Sequence, residues 1–194
     1  GYLLGIDEFS GAKNYVFITG YDYDYSNIAS GITTANAIFT DGTMHPIKVN
    51  NEKSDGTWDD PNGASLINAW YSYSVNSDEV YTLKNTDYVW DRNQGTINSA
   101  YVGLRDSNSD SRWYYGNNET NYIIVDPTDG LKTLNGKGAI TKIDSVVTGV
   151  KNVDLDVYTN SEAGATPADV SHGAYAVYNS NNYIIAAVVI GENQ

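Results

Sequence analysis

Carboxylates on glycine-bearing loops are the residues of this chain best placed to do chemistry. Asp55, Asp59 and Asp60 fall within the polar stretch 51–65, Asn-Glu-Lys-Ser-Asp-Gly-Thr-Trp-Asp-Asp-Pro-Asn-Gly-Ala-Ser, and Asp106 and Asp110 within a second solvated loop. Hard oxygen donors on turns are what Ca²⁺ takes, about six to eight at a time. Asp106-Ser-Asn-Ser-Asp110 comes nearest to an ordered cation loop, but it lacks the distal bidentate glutamate. Alternating Asn, Ser and Asp otherwise serve turns by bonding their own backbone. The expectation is no cofactor, with Ca²⁺ the one candidate cation and those five aspartates its candidate ligands.

Aromatic side chains are the second candidate group. Trp58 stands in the polar loop beside Asp59-Asp60 with no evident core neighbour in sequence, and Tyr21, Tyr23 and Tyr25 alternate with aspartates. An alternating strand would put those three rings on one face. Exposed tryptophan and tyrosine stack on sugars or anchor protein contacts, although cross-strand tyrosines also stabilise sheets with no ligand. The two histidines, His45 before Pro46 and His172 after Ser171, complete no hydrolytic motif. A serine triad needs a nucleophile, a base and an orienting group in mutual reach, and no Gly-x-Ser-x-Gly is present. Nothing marks a carboxylate pair for glycoside hydrolysis. The chain therefore reads as no enzyme.

Composition narrows the partners. Eleven basic against twenty-four acidic residues give a net charge of −13. Phosphate binding draws on clustered Lys and Arg, so nucleic acid is excluded as an expectation. The longest apolar run, Ile184 to Ile190, is too short for a membrane-spanning helix, so no membrane insertion is expected. There are no cysteines, hence no disulfide and no thiolate chemistry. The chain opens at Gly1 without a signal-like segment and reads as a processed piece of something longer, residues 1–9 belonging to a preceding module.

The elements that must position these groups are strands. Asn14 to Tyr21 reads as a strand with a bulge or bend at Gly20. Ala35–Thr40 and Thr43–Val49 flank Asp41-Gly42, which predicts a hairpin with a type I′ turn. Trp70–Val75 and Glu79–Leu83 flank Asn76-Ser77-Asp78, a second hairpin. Trp113–Tyr115 and Thr120–Val125 flank Gly116-Asn117-Asn118, a third. Weaker strand signals cover Tyr88–Trp90, Asn98–Leu104, Ile140–Val147 and Val153–Tyr158, and Thr166-Pro167 reads as one short helical turn. Ala174–Tyr178 and Tyr183–Ile190 flank Asn179–Asn182, and the second of these runs is so apolar that it must be buried on both faces.

About ten short strands with no long helical period predict a mainly β fold, an antiparallel barrel or sandwich with Greek-key or OB-like connections. One domain over 1–194 is expected, with a sub-domain division, if there is one, near 94–98. The core should draw on Val16, Ile18, Ile38, Val75, Leu83, Ile123, Val125, Ile185, Val188 and Ile190.

The succession Asn14-Tyr-Val-Phe-Ile-Thr-Gly-Tyr21, Ala37-Ile-Phe-Thr-Asp-Gly-Thr43 and Tyr73-Ser-Val-Asn-Ser-Asp-Glu-Val-Tyr-Thr-Leu83 continues through Asn121-Tyr-Ile-Ile-Val-Asp126 to the closing hairpin. It resembles the β-rich ectodomain segments beside S-layer homology repeats in surface proteins of Gram-positive anaerobes. The resemblance runs from about residue 14 to 192 and rests on strand and turn patterns. The S-layer homology repeat itself is absent. The resemblance implies an extracellular, bacterial cell-surface location and a structural or assembly role. Its partners would be neighbouring modules of the parent chain, and cell-wall or host glycans or proteins if the module binds or adheres.

Overall fold

Short β-prone runs broken by Gly, Asn and Asp become fourteen strands in the computed structural model, which describes residues 14–22, 31–58, 66–91, 96–98, 103–105, 112–125, 140–151, 153–157 and 173–194. There is no α-helix among the described residues. The fold is mainly β, as expected from the sequence.

Five strands close into a barrel: β1 (Tyr15–Asp22), β2 (Ile32–Phe39), β3 (Met44–Asn50), β4 (Ala69–Val75) and β5 (Val80–Asn85), in the order β1-β2-β3-β5-β4. After β3 the chain crosses over, lays β4 antiparallel against β1, and returns β5 into the gap, parallel to β3. This is a Greek-key closure of the OB-like kind. Alternate residues point inward: Val16 and Ile18, Ala35 and Ala37, Ile47 and Val49, Ala69 and Tyr71, and Leu83. The small alanines leave room for the large rings.

A bulge between Ile18 and Gly20 shifts the register of β1 against β2. The extra residue reverses the in-and-out parity. Tyr21 therefore turns into the barrel instead of joining Phe17 on the outside.

The β2–β3 hairpin forms where expected but with a different turn. Type I′ needs two left-handed residues, and here only Gly42 is left-handed, at φ 84°. The Phe39 N–H donates to Thr43 O and the Gly42 N–H to Phe39 O, which makes a three-residue loop. Asp41 is the cause: its Oδ1 accepts from the Thr43 N–H at 2.9 Å and from the Thr43 hydroxyl at 2.7 Å.

The remaining strands are β6 (Val89–Asp91), β7 (Thr96–Asn98), β8 (Gly103–Arg105), β9 (Trp113–Tyr115), β10 (Asn121–Val125), β11 (Ser145–Thr148), β12 (Asp154–Val157), β13 (Gly173–Tyr178) and β14 (Ile184–Asn193). β8 and β9 form a two-stranded ribbon, and the others share a seven-stranded sheet. β14 is its hub, antiparallel to β13 and β12 and parallel to β10. One face of this sheet, with Ile123, Val125, Tyr175, Val177, Val188 and Ile190, packs on the outer barrel residues Phe17, Ile38 and Trp70. The other face, with Tyr122, Ile124, Ala176, Ala187 and Val189, packs with Leu104 and Tyr114 of the ribbon. Burial of β14 on both faces follows from this layering. The Trp70 indole N–H donates to Tyr175 O at 2.9 Å, and the Asn121 amide to Thr40 O at 2.9 Å, tying sheet to barrel.

Three expectations need correction. The third hairpin does not exist: β9 pairs with β8, while β10 lies between β11 and β14. A strand as apolar as β10 belongs in the middle of a sheet, and its 116–120 turn reaches β14 through the Thr120 hydroxyl, which donates to Ile184 O at 2.6 Å. Val75 is 50% exposed, because it lies at the far end of β4, beyond the interior. Ile185 is only partly buried, whereas the other eight expected core residues are fully enclosed. The weaker signals shorten to β7 and β8 within 96–105 and to β11 from Ser145. The Thr166-Pro167 turn lies outside the described residues.

Candidate functional site

The barrel places its rings at its two ends, and one end is sealed. Segments 51–58 and 66–68 cover it. The Leu83 N–H donates to the Ser54 hydroxyl at 2.9 Å, the Asp55 N–H to Leu83 O at 2.8 Å, and the Asn68 N–H to Ile18 O at 2.6 Å. Under this cover lies Trp58, 1% exposed, meeting Tyr21 edge-on at 5.6 Å and Tyr71 at 5.7 Å. Its indole N–H donates to Asp55 O at 2.8 Å, and its own carbonyl accepts the buried Thr33 hydroxyl at 3.3 Å. The Tyr71 hydroxyl donates to Leu66 O at 3.0 Å, and burial pushes its pKa far up.

The sequence placed Trp58 and Tyr21 on a binding surface. The structure places both inside, at 1% and 3% exposure. A tryptophan in a polar loop found its apolar neighbours when the loop folded back over the barrel, and the β1 bulge turned Tyr21 to meet it. Tyr23 and Tyr25 lie outside the described residues.

Among the candidate metal ligands, Asp55 is engaged in holding β5. Its Oδ1 takes the Lys84 ammonium at 2.8 Å and its Oδ2 the Asn85 N–H at 3.0 Å. These two, the Lys84 hydrogen bond foremost, hold its carboxyl below the usual carboxylate range. Asp59, Asp60, Asp106 and Asp110 lie outside the described residues, as does His172. No group of three or more His, Cys, Asp or Glu side chains is gathered for a metal among the described residues.

The other end of the barrel carries a cluster that sequence reasoning missed. Phe39 stacks on His45 at 4.6 Å and meets Tyr73 edge-on at 5.8 Å, and Tyr73 lies 5.2 Å from Tyr81. All four sit in the last inward-facing layer, yet none is fully buried and His45 is exposed. The signal was present in the alternation of Tyr71 with Tyr73 and of Tyr81 with Leu83, which carries the inward parity to the strand ends. The His45 Nδ1 lies 3.2 Å from Pro46 O. Stacking and this contact give the imidazole a packing role.

A third aromatic pair lies off the barrel. Tyr115 and Tyr183 are 41% and 46% exposed, and their backbones pair in an isolated parallel bridge. Their strands were expected, but their meeting was not, because the sequence reading gave β9 the wrong partner.

No membrane-crossing helix occurs among the described residues. No protein-family model, no curated protein and no solved structure matches the chain.

Proposed function

We propose that the chain is a non-catalytic structural or assembly module of a bacterial cell-surface protein, working outside the cell between neighbouring modules of its parent. The supporting observation is the shared apolar layer in which Phe17, Ile38 and Trp70 of the barrel pack on Tyr175, Val188 and Ile190 of the sheet. Such a layer, bolted by the Trp70 to Tyr175 hydrogen bond, makes barrel and sheet one load-bearing unit. The net charge of −13 keeps such a unit soluble and disfavours polyanionic partners. The test is to replace the segment, within its parent surface protein, by an unrelated folded β domain of similar length. A structural module predicts that surface assembly survives the exchange. Loss of adhesion with assembly intact would overturn it.

That second outcome belongs to another reading, a carbohydrate- or protein-binding surface module. The exposed Tyr115–Tyr183 pair is the observation that favours it.

A further inference from the structure

We propose that Tyr115 and Tyr183 form a platform for an uncharged glycan. The proposal rests on the binding reading and names its site and ligand class. Among the described residues, four large hydrophobic side chains are exposed: Val75, Tyr115, Val146 and Tyr183. Two of the four stand side by side, bridged to one another.

The platform is held before any ligand arrives. The Tyr115 N–H donates to Asn182 O at 3.1 Å, and the Tyr183 N–H to the Asn179 Oδ1 at 3.1 Å. Asn179 also closes its own turn, its N–H donating to Tyr183 O at 2.9 Å and its Oδ1 accepting the Asn181 N–H at 2.9 Å. Behind the pair, Tyr114 packs against Tyr178 at 4.3 Å. Tyrosine rings on a fixed backbone lose little freedom on binding, so contact area converts efficiently into affinity.

Size selects the ligand class. Two rings of this exposure offer roughly 200 Å² of contact, whereas a stable protein partner needs about 800 Å² on each side. Two hundred square ångströms matches one or two sugar rings. Chemistry selects the same class: the side-chain amides of Asn181 and Asn182 make no hydrogen bond among the described residues. Each offers a donor and an acceptor side by side, the pairing that two adjacent sugar hydroxyls require. Aromatic faces meanwhile suit the C–H face of a pyranose. The acidic charge of the chain disfavours an anionic sugar.

The test is binding of the full chain to an array of immobilised uncharged hexose and N-acetylhexosamine oligomers with uronic-acid oligomers beside them, and with Tyr115→Ala/Tyr183→Ala and Asn181→Ala as variants of checked melting temperature. The expected result is binding that resists added salt and falls about tenfold or more in the double variant. Asn181→Ala, an exposed position, should weaken binding several-fold with folding unchanged. Undiminished binding by both variants would overturn the platform while leaving the binding reading in place. No binding by the unaltered chain to any uncharged oligomer would overturn both. Salt-sensitive binding confined to charged sugars would overturn the ligand class.

Discussion

The two ends of the barrel use the same kind of side chain to different effect. At one end Trp58, Tyr21 and Tyr71 are covered by a crossover whose backbone is bonded to β1 and β5. At the other, Phe39, His45, Tyr73 and Tyr81 cover themselves, ring on ring, with solvent beyond. The difference lies in the connections. The β3–β4 crossover is long enough to fold back over the interior, whereas only four residues join β2 to β3 and four join β4 to β5 at the open end. Aromatic content alone does not make a binding surface; what the neighbouring loop can reach decides it.

The sharpest way to break this comparison is to truncate one ring at each end. Trp58→Ala should cost about 3–5 kcal/mol of stability, and Tyr81→Ala no more than about 1–2 kcal/mol, because only the first leaves a closed cavity. Equal losses in urea denaturation would show that the ends are not energetically distinct. The cover can be strained next. Gly56 sits at φ 93°, and a Cβ there would collide with Leu66 Cδ2. Gly56→Ala should cost about 1–3 kcal/mol through the backbone alone, and an unchanged melting temperature would mean that the cover is loose.

Alkali probes the same contrast more gently. Burial raises the Tyr71 hydroxyl pKa well above its ordinary value, and that of Tyr73 less strongly. In the unfolded chain these phenols ionise near pH 10, while the folded chain holds the Tyr71 proton to higher pH and the Tyr73 proton less firmly, so stability is full below pH 10 and falls above it. The slope is about 1.4 kcal/mol per pH unit for each phenol still protonated only in the folded state. Tyr71→Phe should flatten the decline more than Tyr73→Phe, and melting curves between pH 8 and 11 would show the reverse if the open end were the drier one. The smallest effect concerns calcium. Asp55, beside the sealed end, already has both oxygens engaged, so chelator should leave the melting temperature unmoved. A rise with Ca²⁺ not reproduced by sodium at matched ionic strength would make the aspartate loops a metal site.

What could be read from the sequence was whatever short-range chemistry controls. Asp41-Gly42, Asn76–Asp78 and Asn179–Asn182 each mark a reversal, and each has its hairpin. Even there the turn type depended on the Asp41 side chain bonding Thr43, which residue types alone do not settle. Pairings between distant segments were hidden. The parallel β3–β5 and β10–β14 contacts follow from chain crossings, and the missing third hairpin is the cost of assuming that neighbours in sequence pair. The sites were less legible still. Trp58 looked exposed because its loop is polar, yet one hydrogen bond to Asp55 O and two aromatic neighbours suffice to bury it. Tyr115 and Tyr183, 68 positions apart in numbering, carried no mark of adjacency.

The central place of β14 also orders events in time. Its partners β10, β12 and β13 all precede it in the chain, so a ribosome releases them before the strand that joins them. Residues 15–85 hold every strand of the barrel and leave the ribosome while the sheet is still unmade. A barrel that closed in that interval would leave Phe17, Ile38 and Trp70 uncovered. Domains emerging during synthesis are most prone to stick to one another at such moments. Slower translation through 86–183 would lengthen the exposure, and a chaperone that recognises aromatic surface would find its substrate there.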